Sequence, residues 1–357
     1  MIKTVNTGYK QTLYYGNESE YGTAGTINSS IGLVQSVSPT ENNSLIKIRT
    51  LGGSRDYNNI VPGKFEVNGS FSYYIQDGKF LVYAIGEATD AVHSTTAILH
   101  TMGAGTDPGA NDFPSFTLEF ANTEDDTVTD NNLKRVYTGC MVNSLSISAT
   151  VDEPLMATVE WIGQTVTASQ GENTSVTEAT VDPYVFYQGA MYLPTTAVVA
   201  DTAMNVADKV CELNSFNISI NNNLEALWYI CRPESGNTNT RGLRALVPKG
   251  RDWEASVEIH FTDWDLYRKF LGSNSATKPQ DVLAGYNMVL DFVRSGDIGG
   301  TKASTDDFMR IVLKGVKFDQ NVINGSPEDI VSQSLTLSVE SANIFVVDDI
   351  PEYDVSA

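Results

Sequence analysis

"SFNISINNNLE" (residues 215–225) alternates apolar and polar side chains and then breaks into three consecutive asparagines. "SVSPTENNSLI" (residues 36–46) has the same cadence. The two align without a gap at an offset of 179, with Ser36 on Ser215, Val37 on Phe216, Asn42 on Asn221 and Leu45 on Leu224. Alternation with a period of two marks a strand buried on one face. One chain therefore writes the same strand, with the same ending, twice.

The match resumes downstream. "VPGKFEVNGSFSYYIQDGKFLVYAIG" (61–86) lies on "VPKGRDWEASVEIHFTDWDLYRKFLG" (247–272) at an offset of 186, so the second copy carries a connection seven residues longer. Later, "FTLEF" (116–120) pairs with "MVLDF" (288–292), and "NSLSISATV" (143–151) with "QSLTLSVES" (333–341). Four matched segments in one order imply an internal duplication, with a period too long for a solenoid repeat.

Each copy reads as antiparallel sheet. Phe65, Val67, Phe71, Tyr73 and Ile75 alternate with polar residues, and Trp253, Ala255, Val257, Ile259 and Phe261 repeat the pattern. Such alternation predicts a sheet packed on one face. One helix interrupts each copy. Asp77 and Asp263 stand where a carboxylate caps a helix start, and Gly86 and Gly272 suit a left-handed stop. The predicted fold is mainly β, as two tandem β-sandwich or barrel domains, each with one short flanking α-helix. Residues 1–166 form the first domain, the polar stretch 167–182 a linker, and 183–357 the second domain.

Composition excludes several functions. Hydrophobic residues make up 41% of the 357, enough for packed cores. No apolar run is long enough to span a membrane, and the first residues, "MIKTVNTGYKQTLYYG", lack the core of an export signal. A net charge of −21 argues against a surface that holds nucleic-acid phosphates. Cys140, Cys211 and Cys231 show no C-x-x-C spacing and fit reduced thiols in a cytoplasm.

No catalytic constellation emerges. His93, His100 and His260 lack ligand spacing and read as ordinary surface histidines. "GAGTDPG" (103–109) lacks the spacing of a phosphate loop, and "TEDDTVTDNN" (123–132) lacks the glycine of a calcium loop. No enzyme activity, metal or cofactor is expected.

"IGLVQSVSPTENNSLIKIRTLGGSRDYNNIVPGKFEVNGSFSYYIQDGKFLVYAIG", then "YTGCMVNSLSISATVDEPLMATVEWIG", "PYVFYQGA" and "LNSFNISINNNLE" resemble, in this order, phage tail tube proteins of the double-domain type. The resemblance runs from about Gly22 to Val346. It implies a β-sandwich with a flanking helix, whose sheets join those of neighbouring copies into a barrel around a lumen. The chain would be a structural virion protein that stacks in rings, assembled in the host cytoplasm and placed in the viral tail. DNA would pass through the lumen without tight binding, and the tail tip, tape measure and terminator proteins would be its partners. Single-domain relatives close rings from six subunits, so three chains of this length would form a pseudo-sixfold ring.

The resemblance also suggests site residues. Loops 52–63 and 232–250 are the equivalents of a loop that reaches the next ring, which points to Arg55, Asp56, Tyr57, Arg241 and Arg244. Glu254 and Glu258, on the polar face of their strand, are candidates for an acidic lumen wall. Segment 87–112 is long and loop-like and segment 315–330 matches the first copy poorly, and both read as surface decorations. A secreted or virion-surface β-sandwich adhesin or decoration protein is the competing reading. The missing export signal and the parallel spacing of the two copies count against it. A carbohydrate-active enzyme is weaker still, for want of a matched carboxylate pair.

Overall fold

The computed structural model describes residues 8–353, except 54, 87, 95–96, 104–112, 123–131, 172–175, 177, 231–240, 297, 301–305 and 328. The first half begins with β1 (Gln11–Asn17), β2 (Ser29–Ser30), β3 (Leu33–Asn42), β4 (Ile46–Ile48), β5 (Asn59–Val61) and β6 (Glu66–Tyr74). A helical turn (Lys79–Leu81) leads into α1 (Val82–Ile85), followed by β7 (Ala88–Val92) and β8 (Ile98–Gly103). Then come β9 (Phe116–Asn122), β10 (Leu133–Thr150), β11 (Met156–Gly163) and β12 (Thr165–Ser169). The connecting segment therefore starts after Ser169, three residues beyond the expected boundary, because its first residues complete β12 against β10.

The second half has β13 (Gly189–Tyr192), β14 (Lys209–Val210), β15 (Leu213–Asn221), β16 (Glu225–Leu227), β17 (Ala245–Val247) and β18 (Asp252–His260). After α2 (Asp265–Leu271) follow β19 (Tyr286–Ser295), β20 (Asp307–Asn324), β21 (Ser332–Val339) and β22 (Ser341–Asp348).

One antiparallel sheet runs through both halves in the order β3–β6–β11–β10–β15–β18–β21–β20. Its inner face is apolar: Val67, Phe71, Tyr73, Leu145, Ile147, Val159 and Trp161 are buried, and so are Ile218, Ala255, Val257, Ile259, Leu335 and Leu337. Burial of such side chains stabilises by about 1.5–3 kcal/mol each, which fixes strand register because a one-residue slip would expose them all. A smaller sheet, β2–β1–β9–β10–β12, covers the first half. Its counterpart over the second is β14–β13–β19–β20–β22–β8–β7.

β10 and β20 belong to two sheets each. They bend at Gly139 and Gly315, which share a φ of 63° and sit at an offset of 176. This left-handed bulge needs glycine. A side chain at Gly139 would collide with Gln164, and one at Gly315 with Glu340, again residues 176 apart. The bulges reset the strand matching. "QSLTLSVES" lies on β21, whose equivalent is β11 and not β10 as expected, since Leu335 faces Val257 as Val159 faces Phe71. "FTLEF" and "MVLDF" do lie on equivalent strands. Their register differs by two residues, because Phe116 faces Cys140 where Tyr286 faces Val316.

The two helices follow one design. Asp77 accepts the Lys79 amide at 3.0 Å and Asp263 the Asp265 amide at 2.8 Å, and Gly86 and Gly272 end the helices at positive φ. Phe80 makes edge contacts with Tyr15, Phe71 and Phe116 at 5.1, 5.4 and 5.3 Å, joining helix to both sheets.

The described strands of the two segments read as decorations are framework. Residues 88–92 and 98–103 pair as the β7–β8 hairpin, which extends the sheet of the other half by pairing β8 with β22. Residues 315–324 are the far arm of β20, paired with β21. The hairpin also corrects the reading of His100, which is fully buried. Its Nδ1 lies 2.6 Å from Asp90 and its Nε2 3.1 Å from Asp348, while the Tyr353 ring stacks on it at 3.5 Å. Tyr353 donates its hydroxyl to Asp348 and its amide to Asp90, pinning the last described residues to the hairpin. His260 is exposed, as expected. The acidic loop 123–131 and most of the glycine-rich stretch, 104–109, fall outside the described residues.

Candidate assembly interface

Among the described residues the strand-to-strand registers form a branched, open chain of pairings that never returns on itself. Among the described residues β3 pairs with β6 alone, and the far arm of β20 with β21 alone. An unpaired edge is a template for another strand. The two ends are related, because β3 is the equivalent of β15 and β20 that of β10. Inside the chain those two equivalents are already joined, Ser144 opposite Asn221 and Ala149 opposite Phe216. The internal junction thus displays how one end would meet the other.

Two bonds define which residues of the junction face each other. The Asn222 amide donates to the Asn143 carbonyl at 2.8 Å, and the Val151 amide to the Asn214 carbonyl at 3.1 Å. Peptide groups alternate sides along a strand, so even residues of β15 bond to odd residues of β10. Transferred by the offsets, odd residues of β3 face outward, Pro39 among them. A proline whose missing donor faces outward is tolerated on an edge strand and blunts it.

The polar face of the long sheet is a carpet of short side chains. One row reads Ser36, Ser72, Thr158, Ser146, Ser219, Glu254, Ser338 and Lys317 across the eight strands. Glu258 stands between Ser215 and Ser334, and Glu160 between Ser70 and Ser144. Glu254 and Glu258 therefore share one face, as the alternation predicts.

Two hairpin arms project at the strand ends, β4–β5 in the first half and β16–β17 in the second. The second arm folds back over the first half, where Leu243 and Leu246 bury against Phe113 and Met141, flanked by Tyr21, Ile162 and Trp228. Arg241 donates to the Gly63 carbonyl at 3.3 Å and to Asn43 Oδ1 at 2.8 Å, and its own carbonyl accepts the Phe65 amide. Arg244 gives its amide to Leu227 within the arm. The first arm has no such cover. Ile60, the equivalent of Leu246, is 50% exposed where Leu246 is 6%. Arg55, Asp56 and Tyr57 lie exposed on that arm, with Tyr57 under the Arg49 guanidinium at 4.4 Å.

The repeated ending has a structural meaning that alternation alone did not reveal. Asn223 and Ser44 both adopt positive φ, 49° and 41°, and each donates its amide to the asparagine two residues before it at 2.9 Å. The signal was the "NNN" and "ENNS" text itself.

No helix of the described residues is long and apolar enough to cross a membrane. A search of curated proteins returns no match. Compared with protein families, residues 8–340 match the family described as phage tail tube protein. With a family match over nearly its whole length, the chain belongs to the phage tail tube proteins, structural components of the virion tail that self-assemble into a tube and interact with other tail proteins.

Proposed function

We propose that three chains close head to tail into one pseudo-sixfold ring, each adding the far arm of β20 to β3 of its neighbour, and that rings stack into the tube that carries viral DNA. The internal β10–β15 junction carries this reading, because it is the same contact between equivalent strands already made within one chain. Heterologous contacts generate rings when their rotation closes, and closure pairs both free edges of the long sheet. The two halves are read as tandem domains, 1–166 and 183–357, each supplying one sector.

The polar face would then line the channel. Serine and threonine offer a passing duplex few cations to hold, and the carboxylates of Glu254 and Glu258 repel phosphate within a Debye length of about 8 Å. Arg55, Asp56 and Tyr57 on the first arm, with Arg241 and Arg244 on the second, are proposed to face the next ring. A tube reconstruction placing these side chains away from ring boundaries would remove that assignment. The tail tip, tape measure and terminator proteins are the proposed partners.

A cysteine pair tests ring closure. Ser146 lies opposite Ser219 inside the chain, so Val322 should lie opposite Thr40 of the neighbour. Directly opposed, non-bonded positions have Cα atoms about 4.5 Å apart, within disulfide range. Oxidised tubes of the Thr40→Cys/Val322→Cys variant should run on a denaturing gel as dimers and closed trimers and stop there. A ladder continuing to six chains would contradict the threefold ring.

A further inference from the structure

The internal junction is locked by one buried side chain. Asn222 is 1% exposed, and its Nδ2 donates to the carbonyls of Ala84 at 2.9 Å and Val142 at 3.0 Å. Ala84 lies in the last turn of α1, whose carbonyls lack helical partners, and Val142 sits beside the irregularity in β10. Buried carbonyls need a donor, and one amide group serves both. Asn222 Oδ1 accepts Arg251 Nε at 3.0 Å, while Asn143 Oδ1 accepts the Leu224 amide at 3.1 Å.

Each part of this lock has an equivalent at the free ends. Asn43 is the equivalent of Asn222, on a turn of the same geometry, yet it lies exposed. Its Oδ1 is held by Arg241, in the role Arg251 plays for Asn222. At the other end of the chain, Phe318 occupies the place of Val142, Phe270 that of Ala84, and Asp319 that of Asn143. Only the acceptor atom of Asn143 is used at the internal junction for this contact, and a carboxylate keeps it.

From these equivalences we infer that Asn43 is the pin between chains: its Nδ2 enters the second half of a neighbouring copy and donates to the main-chain carbonyls of Phe270 and Phe318. Asp319 of that copy accepts the Leu45 amide. Arg241, reaching over from the second arm of the pin's own chain, holds the amide so that its donor faces outward. The partner is a second copy of this chain, and the assignment rests on the ring reading above.

Asn43→Asp tests it. The carboxylate keeps shape and still accepts from Arg241, but it has no N–H to give. The variant should melt at the parent's temperature and need at least about tenfold higher concentration to form tubes, because two buried carbonyls lose their donor. Asn222→Asp should instead lower the melting temperature of the single chain. Assembly of Asn43→Asp at the parent's concentration would overturn the pin. Run beside it, Ile323→Pro separates the two levels. If that edge variant fails to assemble while Asn43→Asp assembles normally, the pin alone is wrong. If both assemble normally, the edge contact itself is wrong.

Discussion

Ile323→Pro is expected to leave a folded, monomeric chain that forms no tubes at concentrations where the parent assembles fully. By the internal register, in which Ile147 faces Ile218, Ile323 faces Pro39 of the neighbour, and its amide is the remaining donor of that pair. Proline removes the donor and puts ring atoms where the incoming strand must approach. The neighbour's carbonyl is then buried without a partner, at a cost of about 1–3 kcal/mol per contact. A closed ring repeats that cost at each interface. The adjacent variant Val322→Pro is the control. Its amide points toward β21, so it should lower the denaturation midpoint of the monomer. Sedimentation and chemical denaturation of the pair check this, and equal effects on folding from both would contradict the assigned facing.

His100→Gln should cost the single chain about 3 kcal/mol near pH 6, and less near pH 9. Burial lowers the imidazole's affinity for a proton, but bonds to Asp348 and Asp90 more than offset it, so the folded pKa lies above the ordinary value of 6.5. A raised pKa means that the ion-pair contribution is complete below about pH 6.5 and is lost as pH rises through the folded value. Asp90 comes from β7, Asp348 from β22 and Tyr353 from the segment beyond, so the loss loosens the hairpin and the last described residues together. Thermal melts of parent and variant at both pH values check this. A difference in stability that does not change with pH would show that the imidazole does not titrate in this range.

Much of the fold was legible because strands with one dry face announce themselves. The β6 and β18 alternations, the two aspartate-capped helices and the polar row with Glu254 and Glu258 all follow from local pattern. Misreadings arose where contacts are non-local. The β7–β8 hairpin has little of its own core and is strand only because β22, from the other half, supplies an edge. The serine–leucine alternation of β21 fits any strand of the long sheet, and only the Gly139 and Gly315 bulges tell β10 from β11. The assembly surface was half visible. The doubled asparagine text was the right place to look, but that one asparagine plugs two carbonyls of the opposite half needs three dimensions. Buried His100 was missed because Asp348 is far away in sequence.

The free ends of this chain are proposed to join as its own halves do. A reconstruction of the assembled tube at side-chain resolution tests it most directly. Three chains per ring are expected, in a continuous barrel with the β20 far arm against β3, Val322 opposite Thr40, and Glu254 and Glu258 facing the lumen. Six chains per ring, or a β3 edge paired with any other strand, would contradict it.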